Sequence, residues 1–272
     1  MYRSAVAMLF CLLLLLPTSS SAQTQAPPDT LAQDQTATSV QRDPLAVQFV
    51  QASIAAMGGE TAIAQIQDSV MYAEVRALQK RWPSGAVTWK TSGSSVRYEF
   101  NAGDASTTVV FGAKDAVVIS GNQYKRLAAH ERDVLFIPHL LGPQLLRRLK
   151  DPDFSFAFLG TENVNGAAAA RIRVRWEAND IETEISRQDW LIDVATGLPV
   201  RVEYWLVDDR NLANTIAGAT DFSDFRFVSG VTVPFRMVSY FDGQPWQETL
   251  VSSTVFNGGV SPSEFDVPGG VK

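Results

Sequence analysis

From Ser69 onward the chain alternates apolar and polar residues with a period of two, the repeat of a strand buried on one face. The alternation is cleanest where Ala170, Ile172, Val174 and Trp176 interleave with Arg171, Arg173, Arg175 and Glu177. It recurs in Val96, Tyr98 and Phe100 against Arg97, Glu99 and Asn101, and in Val200, Val202, Tyr204 and Leu206 against Arg201, Glu203 and Trp205. Strands wetted on one face point to an antiparallel sheet, since a parallel sheet is normally covered on both. Turn chemistry agrees, because Pro83-Ser84-Gly85, Ala195-Thr196-Gly197, Val228-Ser229-Gly230 and Asp242-Gly243 each separate two such runs. Strands do not alternate with long helices and no fixed repeat is present, which argues against βαβ units and solenoids.

Helical spacing appears in three places. Val47, Val50, Ile54 and Met57 predict a helix over Leu45 to Met57, with Asp43 as N-cap, Pro44 at the first helical position and Gly58-Gly59 as the stop. Ile63 and Ile66 predict a short second helix over Thr61 to Gln67, ahead of a first strand near Ser69. Between Ala128 and Lys150, Phe136, Leu140, Leu141 and their apolar neighbours crowd together, interrupted by Pro138 and Gly142-Pro143. The prolines divide this insertion into two short helices or a kinked one, and its apolar girth requires a sheet to enclose it or something apolar to cover.

The N-terminus has the parts of an export signal: Arg3, the apolar run Ala5 to Leu16, and Ser20-Ser21-Ala22 as a cleavage site. The run is shorter than the ~18 residues of a membrane-spanning helix. The expectation is a signal peptide over 1–22, a disordered polar linker over 23–42 and one domain over 43–272, in a periplasmic or secreted protein. The single cysteine, Cys11, lies within the signal, so no disulfide or thiol nucleophile is expected in the mature chain.

Charge and motifs narrow the functions. A formal net charge of −6, with basic residues scattered rather than striped, argues against nucleic acid as a partner. There is no phosphate loop, nucleophile elbow, paired-histidine zinc helix or calcium loop. The two histidines, His130 and His139, read as ordinary residues rather than metal ligands. Asp208-Asp209 reads as a polar hairpin tip, and Asp221 with Asp224 as a solvated strand edge. No catalytic residue, cofactor or metal is expected; an enzyme using Asp208 or His139 is the remote reading.

Aromatic residues give the stronger signal. Trp82, Trp89, Trp176, Trp190, Trp205 and Trp246 sit on different predicted strands or strand ends. They either fill a core between sheet and helices or leave an apolar cavity that a ligand occupies. Alternation places Trp205 on the polar face with Arg201 and Glu203.

Several phrases together resemble the LolA/LolB lipoprotein-carrier superfamily. They are Ala55-Ala56-Met57-Gly58-Gly59 after a helix, Trp190 to Arg201 as strand, turn and returning strand, Phe225 to Phe235 as the next hairpin, and Phe265-Asp266-Val267-Pro268 near the end. The resemblance covers most of the chain from Leu45 and implies an α+β fold. Its curved antiparallel sheet forms an unclosed half-barrel, covered by the N-terminal and inserted helices. It further implies a protein that carries or senses lipidated or hydrophobic cargo in the bacterial envelope; with no catalytic constellation in the chain, the expectation is a monomeric, non-enzymatic carrier of lipid, acyl-chain or lipoprotein cargo. The resemblance assigns no binding residue. Face parity supplies the expected lining: Val96, Tyr98, Phe100, Ile172, Val174, Trp176, Val202 and Tyr204 on the sheet, with Phe136, Leu140 and Leu141 on the cover. The competing reading is an envelope interaction protein with a filled core, docking a protein partner through Arg171, Arg173 and Arg175.

Overall fold

The computed structural model describes residues 40–112, 115–129, 131–132, 152–177, 183, 185–208 and 211–266. The predicted signal, most of the linker, and Phe136, Leu140 and Leu141 lie outside them, as do His130 and His139. Within the described residues thirteen strands form one antiparallel sheet. The first meander comprises β1 (Asp68–Ala77), β2 (Gly85–Ser92), β3 (Ser95–Ala102), β4 (Ala105–Phe111), β5 (Ala116–Ser120) and β6 (Gln123–Arg126). The second comprises β7 (Phe154–Val164), β8 (Ala167–Trp176), β9 (Gln188–Asp193), β10 (Pro199–Asp208), β11 (Asn211–Val228), β12 (Val231–Phe241) and β13 (Gln244–Phe256). Pairing of β1 with β13 joins them, with Val75 opposite Thr249. Among the described residues β6 and β7 are the outermost strands and do not pair with each other, so the sheet is an unclosed half-barrel.

Helix α1 (Pro44–Ala56) begins where the sequence places it: Asp43 accepts the Leu45 N–H at 2.8 Å and Pro44 occupies the first turn. Its buried stripe is Ala46, Val50, Ser53, Ile54 and Met57, with Val47 only partly covered. The Thr232 N–H donates to the Met57 carbonyl at 3.0 Å, tying the end of the helix to the β11–β12 turn. Helix α2 (Gly59–Ala64) starts earlier and ends earlier than predicted, while Ile63 and Ile66 are both buried as expected. Gln41 and Arg42 also pair with the sheet. The Phe156 N–H donates to the Gln41 carbonyl, and Arg42 forms a bridge to edge strand β7.

The helices pack on the inner face of β7, β8, β9 and β12. Bulges set which residues share that face. An irregularity between Pro199 and Arg201 puts Val200 on the outer face, packed near Val164, Ala169 and Leu191. This corrects the uniform alternation read from Val200 to Leu206, since one extra residue flips the parity. In β11, Asp224 adopts a φ of 51° where the register to β12 skips a position. At the other end of the sheet the C-terminal turn Pro262–Phe265 crosses the outer face. Phe265 packs on Val110 and Val117, and Glu264 receives Lys90 at 3.0 Å.

Candidate functional site

The inner face is apolar across both meanders. On the second, cross-strand rows run Ile172, Trp190, Val202 and Val174, Gln188, Tyr204. These residues are buried beneath the helices. Trp190 stacks on Phe222 at 6.3 Å and donates its indole N–H to Gln188 at 3.1 Å. The Tyr204 ring lies over Gly218, where a Cβ would come within 2.3 Å of Cε2. Trp176 is half-buried at the margin, stacked on Phe154 at 6.5 Å.

On the first meander Tyr98 and Phe100 gather with Val75, Val87, Trp82 and Trp89. Trp89 meets Tyr98 edge-on at 5.6 Å. Val96 packs instead on Val109, Phe111 and Val118. The structure therefore brings the eight described lining candidates to one face but divides them among three clusters. Burial pushes the Tyr98 and Tyr204 phenols above their ordinary range.

At the end of the sheet where β1, β11, β12 and β13 meet their turns, a cleft of about 560 Å³ opens. Gln79, Lys80 and Arg81 of the β1–β2 loop form its lip. Ile216, Phe241 and Trp246 supply apolar wall, joined by Asp242 and Gln244 from the β12–β13 turn. Trp246 stacks on Phe241 at 4.8 Å and meets Trp82 edge-on at 6.1 Å. Among the described residues the buried indole N–H groups of Trp82 and Trp246 have no acceptor. Sequence reasoning missed this cleft because its walls come from segments more than 130 residues apart in the chain. The available signal was the placement of Trp82 and Trp246 beside turns.

The outer face carries the arginine row expected as a solvated surface or a docking site. Instead the arginines are engaged. Arg173 grips Asp189 with two bonds of 2.8 and 2.9 Å, and Arg171 reaches Asp189 at 3.0 Å, Glu203 at 2.7 Å and Glu162 at 2.7 Å. Arg175 pairs with Glu177 at 3.0 Å. Burial alone would lower the Arg171 guanidinium; its bonds to Glu203 and Glu162 outweigh that and hold it above its usual range. Asp189, only 2% exposed, is the centre of this lattice. Trp205 shares the face, with the guanidinium of Arg187 4.1 Å above its ring. Asp221, expected at a solvated strand edge, lies inside long strand β11, where it accepts from Arg201 at 3.0 Å and from the Tyr240 hydroxyl at 3.2 Å. Asp224 also lies inside β11 but is solvated as expected, pairing with Arg226 in the open. Asp208 pairs with Asn211 across a hairpin tip, in keeping with the turn predicted there. Among the described residues no group of three or more His, Cys, Asp or Glu is placed to hold a metal ion, and no helix is long and apolar enough to cross a membrane.

No protein-family model and no curated protein matches the chain. Solved structures do. A domain assigned as an outer membrane lipoprotein-sorting protein from Vibrio parahaemolyticus superposes with a TM-score of 0.54 at 14% identity, over 82% of this chain and 96% of that one. A LolA superfamily protein from Nitrosomonas europaea gives 0.52 at 12% identity, over 82% and 98%. The chain shares with these structures the fold of an unclosed half-barrel with helices laid on its inner face. At this identity the likeness is one of architecture.

Proposed function

We propose that the protein is a non-enzymatic carrier or binding protein of the bacterial envelope that holds an acyl chain or similar apolar cargo against the inner face of the half-barrel. The observation that carries this reading is the division of the inner face. The residues of β2 to β5 form their own apolar clusters, apart from the core that α1 and α2 fill. Cargo entering beside Tyr98, Phe100 and Trp176 would gain about 0.8 kcal/mol per methylene removed from water. Release would then depend on movement of whatever covers the chain. The competing docking surface is weakened by the ion pairs that occupy Arg171, Arg173 and Arg175.

Native mass spectrometry of protein purified from a bacterial envelope, with lipid extraction of any bound mass, tests the reading. A stoichiometric acyl-containing adduct is expected. Trp176→Asp should weaken uptake of a fluorescent fatty acid by about tenfold or more, through burial of a charge in the path, with its circular dichroism unchanged. A clean apo mass in a protein that also ignores fluorescent fatty acids would leave the inner face as a filled core and end the carrier reading.

A further inference from the structure

We propose that the cleft at the rim seats the anionic head group, phosphate or carboxylate, of an amphiphile whose chain lies along the inner face. The proposal rests on the carrier reading and adds a polarity and a substrate class to it. Along the strands basic side chains are matched with carboxylates, as in Arg76 with Glu74 and Arg236 with Glu248. Lys80 and Arg81 have no carboxylate partner among the described residues, and both stand on the lip of the cleft. Asp242 is the one carboxylate in its lining, so the lining has a cationic excess in a chain whose formal net charge is −6. Arg81 lies over the Trp82 ring at 5.3 Å, which steadies the guanidinium near the opening.

A second observation points to a missing acceptor. Trp246 is 5% exposed and its Nε1 has no partner among the described residues, nor has the Nε1 of Trp82, which meets it edge-on. An indole N–H only donates, and buried donors are nearly always satisfied. The Trp246 donor, two cations and the amide of Gln244, joined by the Gln79 amide that also donates to the Pro245 carbonyl at 3.2 Å, make a set that binds an oxyanion. Both indole nitrogens are enclosed in this conformation.

The cleft also connects with the expected lining from both sides. Phe241 pairs with Gly218, the residue beneath the Tyr204 ring. Trp82 packs with Tyr98 and Phe100. An amphiphile with its head between Lys80, Arg81 and Trp246 therefore has an apolar path along either meander.

Isothermal titration with hexadecyl phosphate, hexadecanol and inorganic phosphate tests this on the full chain. The protein should prefer hexadecyl phosphate over hexadecanol by about tenfold or more, the scale of one or two charge-assisted bonds. In a Lys80→Gln, Arg81→Gln variant the preference should fall to within about twofold while hexadecanol affinity holds, since only the charge-assisted bonds are lost. Both side chains are exposed, so the variant should keep its thermal midpoint. Asp242→Asn should increase the preference. Equal binding of the two amphiphiles, or a preference that survives in the double variant, overturns the head-group seat and leaves the carrier reading standing. Binding of inorganic phosphate without either amphiphile, lost in the double variant, would assign the cleft to a free anion and overturn both the amphiphile and the carrier. Binding of none of the three overturns both as well.

Discussion

Asp193 closes the β9–β10 turn with its own carboxylate. Its Oδ1 accepts the Thr196 N–H at 2.6 Å and the Thr196 hydroxyl at 2.8 Å, while Gly197 takes the positive φ of 72° that the turn requires. The backbone bond and then the hydroxyl bond hold the carboxyl below its ordinary range. A carboxyl depressed in the folded state contributes stability above its unfolded pKa and loses it as pH falls through the folded value. Asp193→Ala should therefore cost about 1–2 kcal/mol at neutral pH. Urea unfolding should show that gap narrowing below about pH 4; a gap that is constant with pH would mean that the carboxylate charge contributes nothing. The turn itself was legible in Ala195-Thr196-Gly197. The partners of the outer arginines were not, because Asp189 and Glu203 lie on neighbouring strands and period-two alternation says only which way a side chain faces.

At the scale of elements, α1 was readable almost to the residue because its signals are local: a capping Asp, a proline in the first turn, and glycines at the end. Why it ends on two glycines is a tertiary matter. A Cβ on Gly58, at φ 118°, would lie 2.3 Å from the Gly230 carbonyl oxygen, whereas one on Gly59, at φ 84°, meets nothing within 4 Å. Both substitutions strain the backbone, but only the first collides with it. Gly58→Ala should destabilise by at least about 2 kcal/mol and clearly more than Gly59→Ala. Equal losses in thermal or denaturant unfolding would show that φ strain alone sets the cost and that the helix–turn contact is loose. The bulge beside Val200 belongs to the same scale: nothing in Pro199-Val200-Arg201 announces it, and it redirects an apolar residue to the opposite face.

For the whole molecule the decisive contact is the β1–β13 seam, which joins strands at opposite ends of the domain and turns two meanders into one sheet. Closure stops at β6 and β7. All four residues of β6 are exposed, and among the described residues its only strand neighbour is β5. Native-state hydrogen exchange should accordingly find β6 the least protected strand, with β9, β10 and the seam among the slowest. Protection in β6 equal to that at the seam would mean that the free edge is stabilised by something besides its pairing. The lining candidates are distributed by the same long-range pairing. Parity predicted that Tyr98, Phe100, Ile172, Val202 and Tyr204 share a face, and they do, yet strand order alone decides which of them are neighbours.

What depends on near neighbours was legible in the chain alone: one-sided strands, the hairpin turns, the capped helix and an antiparallel architecture. Hydrophobic period and turn chemistry act over a few residues, so they can be read without knowing the fold. The tertiary structure alone decided what depends on residues far apart in the chain. That includes the seam, the parity change at Val200, the ion-pair lattice around Asp189, and the rim cleft where the Lys80–Arg81 loop meets Phe241 and Trp246. Each follows from the order and register of strands in space, a quantity that no short stretch of sequence encodes.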